Sequence, residues 1–113
     1  MRTIDTLSAQ EQAALADLQQ RLRGTLPGVS MRWTLFGSRA RGDAEPDSDM
    51  DVLVELDLER LDLATKRRIR RLVGEVSLKH SFVISLLLVD RAQARERGDY
   101  AIFANIREEG IPL

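Results

Sequence analysis

Two carboxylates, Asp49 and Asp51, stand two residues apart, and the apolar run Val52-Leu53-Val54 follows at once. On a strand, residues i and i+2 point to the same face, so this spacing brings both carboxylates to one spot. Carboxylates that close repel, and a hydrophobic strand is a costly place for them. A divalent cation resolves both problems. With oxygen donors only, and neither cysteine nor a nearby histidine, the pair favours Mg²⁺, which takes one or two carboxylates together with substrate phosphates. Upstream, Gly37-Ser38 follows the apolar residues Trp33, Leu35 and Phe36. Glycine lets the backbone turn sharply and approach a ligand closely. If Ser38 to Arg41 open a short helix, their free N–H groups and the Ser38 hydroxyl can hold a phosphate. A phosphate turn beside a cation-binding pair is the equipment for phosphoryl or nucleotidyl transfer, in which catalysis is mostly positioning and charge neutralisation. Each motif alone also marks ordinary surface, Gly-Ser as a turn and Asp-x-Asp as a solvated turn or cap. Their combination after a strand, at a fixed gap, is far more specific.

The elements that must position these residues can be read from periodicity. Ser8 and Glu11 have capping-box spacing, and Leu15, Leu18, Leu22 and Leu26 follow at helical intervals, which predicts a helix over 9–23. Gly24 and Pro27-Gly28 end it. Val29 to Phe36 reads as a strand, 43–47 as loop, and Met50 to Leu56 as a buried strand. Leu61, Thr65, Ile69, Leu72, Val73 and Val76 recur on one face, predicting a second helix from about Leu61 to Lys79. Phe82 to Val89, the most hydrophobic run, reads as a central strand. A short helix after Asp90 and another over 99–109, ending at Gly110 with Pro112 beyond, complete the chain. The expectation is an α/β (α+β) domain with a small mixed sheet flanked by helices, one domain over residues 1–113.

The string Phe-Gly-Ser-Arg-Ala-Arg-Gly from Phe36, then Asp-Ser-Asp-x-Asp-Val-Leu-Val from Asp47, resembles the signature of the DNA polymerase β-like nucleotidyltransferase superfamily. It is most similar to the smallest branch, the minimal nucleotidyltransferases of bacteria and archaea. The motif covers about a fifth of the chain, and length and element order agree over nearly all of it. The resemblance implies the polymerase β-like nucleotidyltransferase fold. It implies that Gly37 and Ser38 contact the triphosphate of a bound NTP, with Ser48 also in the nucleotide site, and that Asp49 and Asp51 are the catalytic pair holding two Mg²⁺ ions. One ion would orient the triphosphate. The other would lower the pKa of an attacking hydroxyl, which strikes the α-phosphorus and expels pyrophosphate. Arg39 and Arg41 either sit near the phosphates or are solvated charges.

Such enzymes carry a third carboxylate on a neighbouring strand. Here the aligned position is Ser85, the one polar residue inside Val83 to Leu88, expected to face Asp49 and Asp51. A serine hydrogen-bonds but does not replace a carboxylate as metal ligand or base. Glu55, on the same face, and Asp90, at the strand's end, are possible substitutes, both expected to be solvated.

The resemblance implies transfer of a nucleoside monophosphate, AMP from ATP in the first instance, to an acceptor. A domain this small has little room for an acceptor pocket, so the acceptor belongs to a partner protein, or another subunit, as in a homo-oligomer, completes the site. In the minimal branch the partner is a HEPN-domain protein, modified on a tyrosine within a toxin–antitoxin module. The alternative is an antitoxin or adaptor that keeps nucleotide or metal and acts by binding. Transfer to a small molecule such as an aminoglycoside would need a second domain.

The remaining sequence narrows the field. At 43% hydrophobic and 31% charged, with net charge −1, the composition suits a soluble globular protein and gives no global attraction to nucleic acid or membrane. The absence of cysteine excludes disulfides and thiolate chemistry. Met1 to Asp5 lack the apolar core of a signal peptide, and Leu86 to Val89 is far too short to span a bilayer, so a cytoplasmic location is expected. Lys66, Arg67, Arg68, Arg70 and Arg71 form a basic cluster on the second helix. Without interleaved aromatics it reads as a solvated face or a protein interface rather than a nucleic-acid site. His80 is expected at a helix–strand junction, in a cap or partner contact. Trp33 and Tyr100 are expected in packing roles.

Overall fold

The structure, a computed structural model, describes residues 7–97 and 100–113. In chain order the elements are α1 (Ala9–Thr25), β1 (Met31–Phe36), α2 (Gly37–Arg41), β2 (Met50–Leu56), α3 (Leu63–His80), β3 (Ile84–Val89), α4 (Arg91–Arg97), α5 (Tyr100–Glu109) and β4 (Ile111–Pro112). The strands form one mixed sheet in the order β3-β2-β1-β4. β1 is antiparallel to both β2 and β4, and β2 is parallel to β3. No helix among the described residues is long and apolar enough to cross a membrane.

Local chemistry sets the helix ends. At α1, Ser8 Oγ accepts from Glu11 N at 3.1 Å and Glu11 Oε1 accepts from Ser8 N at 2.9 Å. The helix runs through Gly24, because Thr25 Oγ1 donates to Arg21 O and Leu26 N to Leu22 O, both at 3.0 Å. α3 begins two residues later than the periodicity suggests. Asp62 caps it, accepting from Thr65 N at 2.7 Å, while Leu61 is buried in the core outside the helix.

Alternation along β2 feeds two cores. Met50, Val52 and Val54 face a large cluster with Leu15, Leu18 and Leu22 of α1 and Ile69 and Val76 of α3. Leu53 faces a smaller cluster with Val89, Ala94 and Phe103. Asp51 and Glu55 share the Leu53 face by parity.

β3 is an edge strand, not the central one its hydrophobicity suggested. Its apolar run reflects packing on both faces, since Ile84, Leu86 and Leu88 pack against the large cluster and Leu87 and Val89 against the small one. Hydrophobicity reports faces, and edge position is a matter of backbone pairing. The opposite edge is β4, which sequence periodicity did not reveal. A Cβ at Gly110 would lie 2.5 Å from Thr34 Cγ2 and 2.6 Å from Leu35 O, so glycine is what lets the chain swing in beside β1. Pro112, which has no N–H to donate, is tolerated because this strand is at an edge. Asp99 and the side chain of Tyr100 lie outside the described residues.

His80 ends α3 and binds α1. Its Nε2 lies 2.8 Å from Asp17 Oδ2, and Arg21 and Lys79 reach the same carboxylate at 2.9 and 3.5 Å. The His80 hydrogen bond is the main cause that brings the Asp17 pKa from 3.8 to about 2; partial burial opposes it, and Arg21 and Lys79 assist. A carboxyl with a depressed folded pKa stabilises the fold above its unfolded value, and that contribution is lost as pH falls through the folded one. Acid should therefore weaken the α1–α3 junction between pH 3.8 and about 2. In Asp17→Asn, the plot of Tm against pH, followed by the fluorescence of buried Trp33, is expected to be flatter than wild type across that window. Equal slopes would remove this role for the cluster.

Candidate functional site

The turn from β1 into α2 has no spacer: Phe36 ends the strand and Gly37 begins the helix. Phe36 is the extended N-cap residue and supplies no side-chain hydrogen bond to the helix start. Gly37 has φ +74°, a conformation that costs a side-chain-bearing residue of order 1–2 kcal/mol. A Cβ there would lie 2.3 Å from Asp51 Oδ2 and 3.2 Å from its Cγ. The backbone of the turn thus rests against the Asp51 carboxylate, with room for nothing larger than hydrogen. Gly42, left-handed at φ 84°, closes α2 by donating to Ser38 O at 2.9 Å.

Asp51 occupies the centre of three strands. It is the register partner of Phe36 on β1 and of Ser85 on β3. Paired residues share a face, and adjacent strands lie about 4.8 Å apart, so Ser85 is the nearest β3 side chain beside Asp51. Asp49, immediately before β2, is exposed, as is Ser85. Burial pushes the Asp51 carboxyl above its usual range; the charge of Asp49 pushes the same way, and Arg41 partly offsets both. The charge of Asp49 therefore disfavours ionisation of Asp51, and positive charge between the two would relieve this. The donors are hard oxygens, and among the described residues no group of three or more His, Cys, Asp or Glu side chains is placed to hold a metal. A two-carboxylate set with room for phosphate oxygens suits Mg²⁺ and does not suit a cation that needs an all-protein cage. Asp49 and Asp51 are the residues that would hold it.

The two arginines of α2 have different surroundings. Arg41 is exposed, 3.4 Å from Asp43, and is the cation felt by Asp51. Arg39, which the resemblance set near the phosphates or in solvent, is instead a structural clamp. Its side chain is 8% exposed. Its Nη1 binds Glu11 Oε2 at 3.1 Å, Nε and Nη2 bind Ser48 O at 3.2 and 2.7 Å, and Nη2 also reaches Pro46 O at 3.4 Å. The guanidinium also stacks 5.1 Å from the centre of the Phe82 ring. A guanidinium this buried needs its donors filled, and they are filled by the loop and by α1. Ser48 is likewise engaged: its Oγ accepts from Glu45 N at 2.9 Å and its N–H donates to Glu45 O at 3.0 Å. Arg39 thereby fixes the backbone just before Asp49.

Neither substitute for a third carboxylate is solvated as expected. Asp90 is buried and accepts from Leu61 N at 2.9 Å and Gln93 N at 2.7 Å, holding the start of α4. Glu55 lies on the Asp51 face but binds Arg107 at 2.5 Å through Oε2. Sequence reasoning missed the positioning roles of Glu11 and Phe82. Glu11 was legible as a cap, but its second oxygen serves a residue 28 positions away, and no local signal carries that.

The fold agrees with what the chain is similar to. Residues 18–103 match the nucleotidyltransferase domain family. A protein of Methanocaldococcus jannaschii, provisionally named a protein adenylyltransferase, is 28% identical over 106 residues, which covers 91% of this chain and 97% of the relative. A second from the same organism, with the same provisional name, is 42% identical over 57 residues, covering 50% of this chain and 57% of the relative. No solved structure matches. Since the family match takes in both the Gly37 turn and the Asp49–Asp51 pair and spans most of the chain, this protein belongs to the nucleotidyltransferase domain family.

Proposed function

We propose that the chain transfers AMP from ATP to a hydroxyl on a partner protein. The observation that carries this reading is the contact between the Gly37 turn and the Asp51 carboxylate, so close that a Cβ at Gly37 would lie 2.3 Å from Asp51 Oδ2. It brings a phosphate-sized turn within reach of a carboxylate pair that is short of positive charge. Asp49 and Asp51 hold the cation, Gly37 and Ser38 receive the triphosphate, and Arg41 adds a positive charge on the same side. Mg²⁺, when bound, supplies charge neutralisation at the phosphates and a lowered pKa for the acceptor hydroxyl. The acceptor oxygen bonds to the α-phosphorus as the bond to pyrophosphate breaks, and the hydroxyl proton leaves to solvent. Arg39 keeps the Asp49 backbone in place throughout.

Adenine and a protein acceptor are supported by the names of the relatives. Exposure of Asp49, Arg41 and Ser85 leaves the site open to a large acceptor. On this reading the acceptor is a HEPN-domain protein and the pair is a toxin–antitoxin module, as the resemblance to minimal nucleotidyltransferases implies. A second reading is favoured by Ser85, which lies in register with Asp51 where a third carboxylate would strengthen the site. There the chain binds nucleotide and partner without transfer.

Three outcomes test these readings. With labelled ATP, Mg²⁺ and the partner, label should pass to protein and fall by roughly a hundredfold or more in Asp49→Asn or Asp51→Asn, the scale of losing an electrostatic group at a reacting centre. Label transfer unaffected by either change would sink the assignment. Gly37→Ala should abolish transfer and also lower Tm, because the added methyl meets Asp51 in a left-handed backbone; wild-type rates in that variant would mean the turn is not the phosphate site. Ser85→Asp should raise Mg²⁺ affinity by calorimetry and raise the transfer rate. Tighter Mg²⁺ with no transfer by either protein would favour the binding reading.

A further inference from the structure

Among the described residues, no strand pairs with the outer edge of β3. Edge strands are ordinarily blunted by charge, proline, bulges or a covering element. Five of the six residues from Ile84 to Val89 are apolar, and the strand contains no charge or proline. Met50 N donates to Val83 O at 2.8 Å, so the alternation of a strand turns the N–H and C=O groups of Leu86 and Leu88 away from β2. Ile84 N also faces outward but is taken by Ser77 Oγ at 3.3 Å. Val83, just ahead of the strand, is 62% exposed.

Beside this edge runs a groove of about 610 Å³ between β3, α3 and α4. Its floor is apolar, formed by Ile84, Leu86 and Leu88 with Ile69 and Val73 of α3. Its α3 wall carries Lys66 and Arg70. α3 as a whole holds six of the chain's 17 lysines and arginines against one glutamate. The acids at the far end offset this wall only in part: Asp90 accepts from backbone amides and feels the charge of Lys66, Glu96 is bound to Arg60, and Arg70 has no acid partner among the described ion pairs. A second copy paired edge to edge would bring the Lys66–Arg70 wall against itself, a like-charge contact. Nucleic acid would meet the charge but find no aromatic platform in the groove, whose lining contains none.

We infer that the β3 edge docks an extended, acidic segment of a partner protein, which adds to the sheet as a fifth strand. Main-chain groups of Leu86 and Leu88 pair with the segment, alternate apolar side chains enter the groove, and its carboxylates meet Lys66 and Arg70, as in strand addition generally. This deepens the proposed function by saying where the acceptor protein docks, and rests on that reading for what the segment delivers. Ser85 sits on β3 beside Asp51, so the added strand runs past the site with only a small hydroxyl side chain between.

The test uses the full chain and neither nucleotide nor Mg²⁺, so docking and transfer fail independently. The probe is a blocked peptide of about nine residues alternating valine and glutamate. Controls replace glutamate with lysine or N-methylate alternate amides. Exchange of the Leu86 and Leu88 amides, read by NMR, should slow about tenfold or more at saturation. The lysine and N-methyl peptides should give no protection, and the Lys66→Glu/Arg70→Glu double variant, changed only at the groove wall, should bind the parent peptide at least tenfold more weakly. Unchanged exchange at Leu86 and Leu88, or equal binding of the N-methyl peptide, overturns the proposal. So does concentration-dependent protection of those amides without peptide, which would assign the edge to a second copy. Protection by a single-stranded oligonucleotide in place of the peptide also overturns it.

Discussion

A missing methyl group holds the site together. At Gly37 the chain leaves β1 in a left-handed conformation, and the space a Cβ would fill is taken by the Asp51 carboxylate. Both partners are placed by the β1–β2 ladder, which sets Phe36 opposite Asp51. The same contact explains the electrostatics. Asp51 is crowded by the turn and partly withdrawn from water, and Asp49 adds a second negative charge. The fold thus maintains a local deficit of positive charge beside uncommitted backbone, a state that suits a cation and a polyphosphate together better than either alone.

Holding that arrangement requires the loop before Asp49 to stay in place although it contains no regular structure. Arg39 does this with one side chain that joins the start of α1, the loop carbonyls and the Phe82 ring. Breaking a buried ion pair from one side costs about 3–5 kcal/mol, a large share of a small domain's stability. The loop is therefore tied to the folded state of α1 rather than free to sample alternatives. Glu11 serves both ends, one oxygen capping α1 and the other receiving Arg39, so the α1 cap and the loop before Asp49 depend on one carboxylate.

The charge of the molecule is unevenly spread. A net charge of −1 conceals a basic α3 and an acidic turn around Asp49. On the proposed readings, chemistry and docking call on different parts of one sheet, the start of β2 for the first and the outer side of β3 for the second. Ser85, on β3 and beside Asp51, is where the two meet.

Much of this was legible from residue order because it depends on local rules. The capping box, the β2 alternation and the α3 face are short-range patterns, and each recurs in the structure as the element it implied; the Gly-Ser to Asp-x-Asp spacing recurs as a turn lying against Asp51. The i, i+2 rule placed Asp49 and Asp51 together, and the polar break in an apolar run singled out Ser85. Other features depend on contacts between distant residues. That β3 is an edge follows from which strands pair, and its side chains, apolar on both faces, carry no sign of that. β4 exists because Gly110 lets two residues lie against β1. The commitment of Arg39 to Glu11 and of Glu55 to Arg107 spans 28 and 52 positions. Which side chains could do chemistry was readable in the linear chain, since that is a matter of residue type and short spacing. Which of them stay uncommitted depends on the folded arrangement, because burial and hydrogen bonding between distant residues consume charged groups that look equally available in residue order.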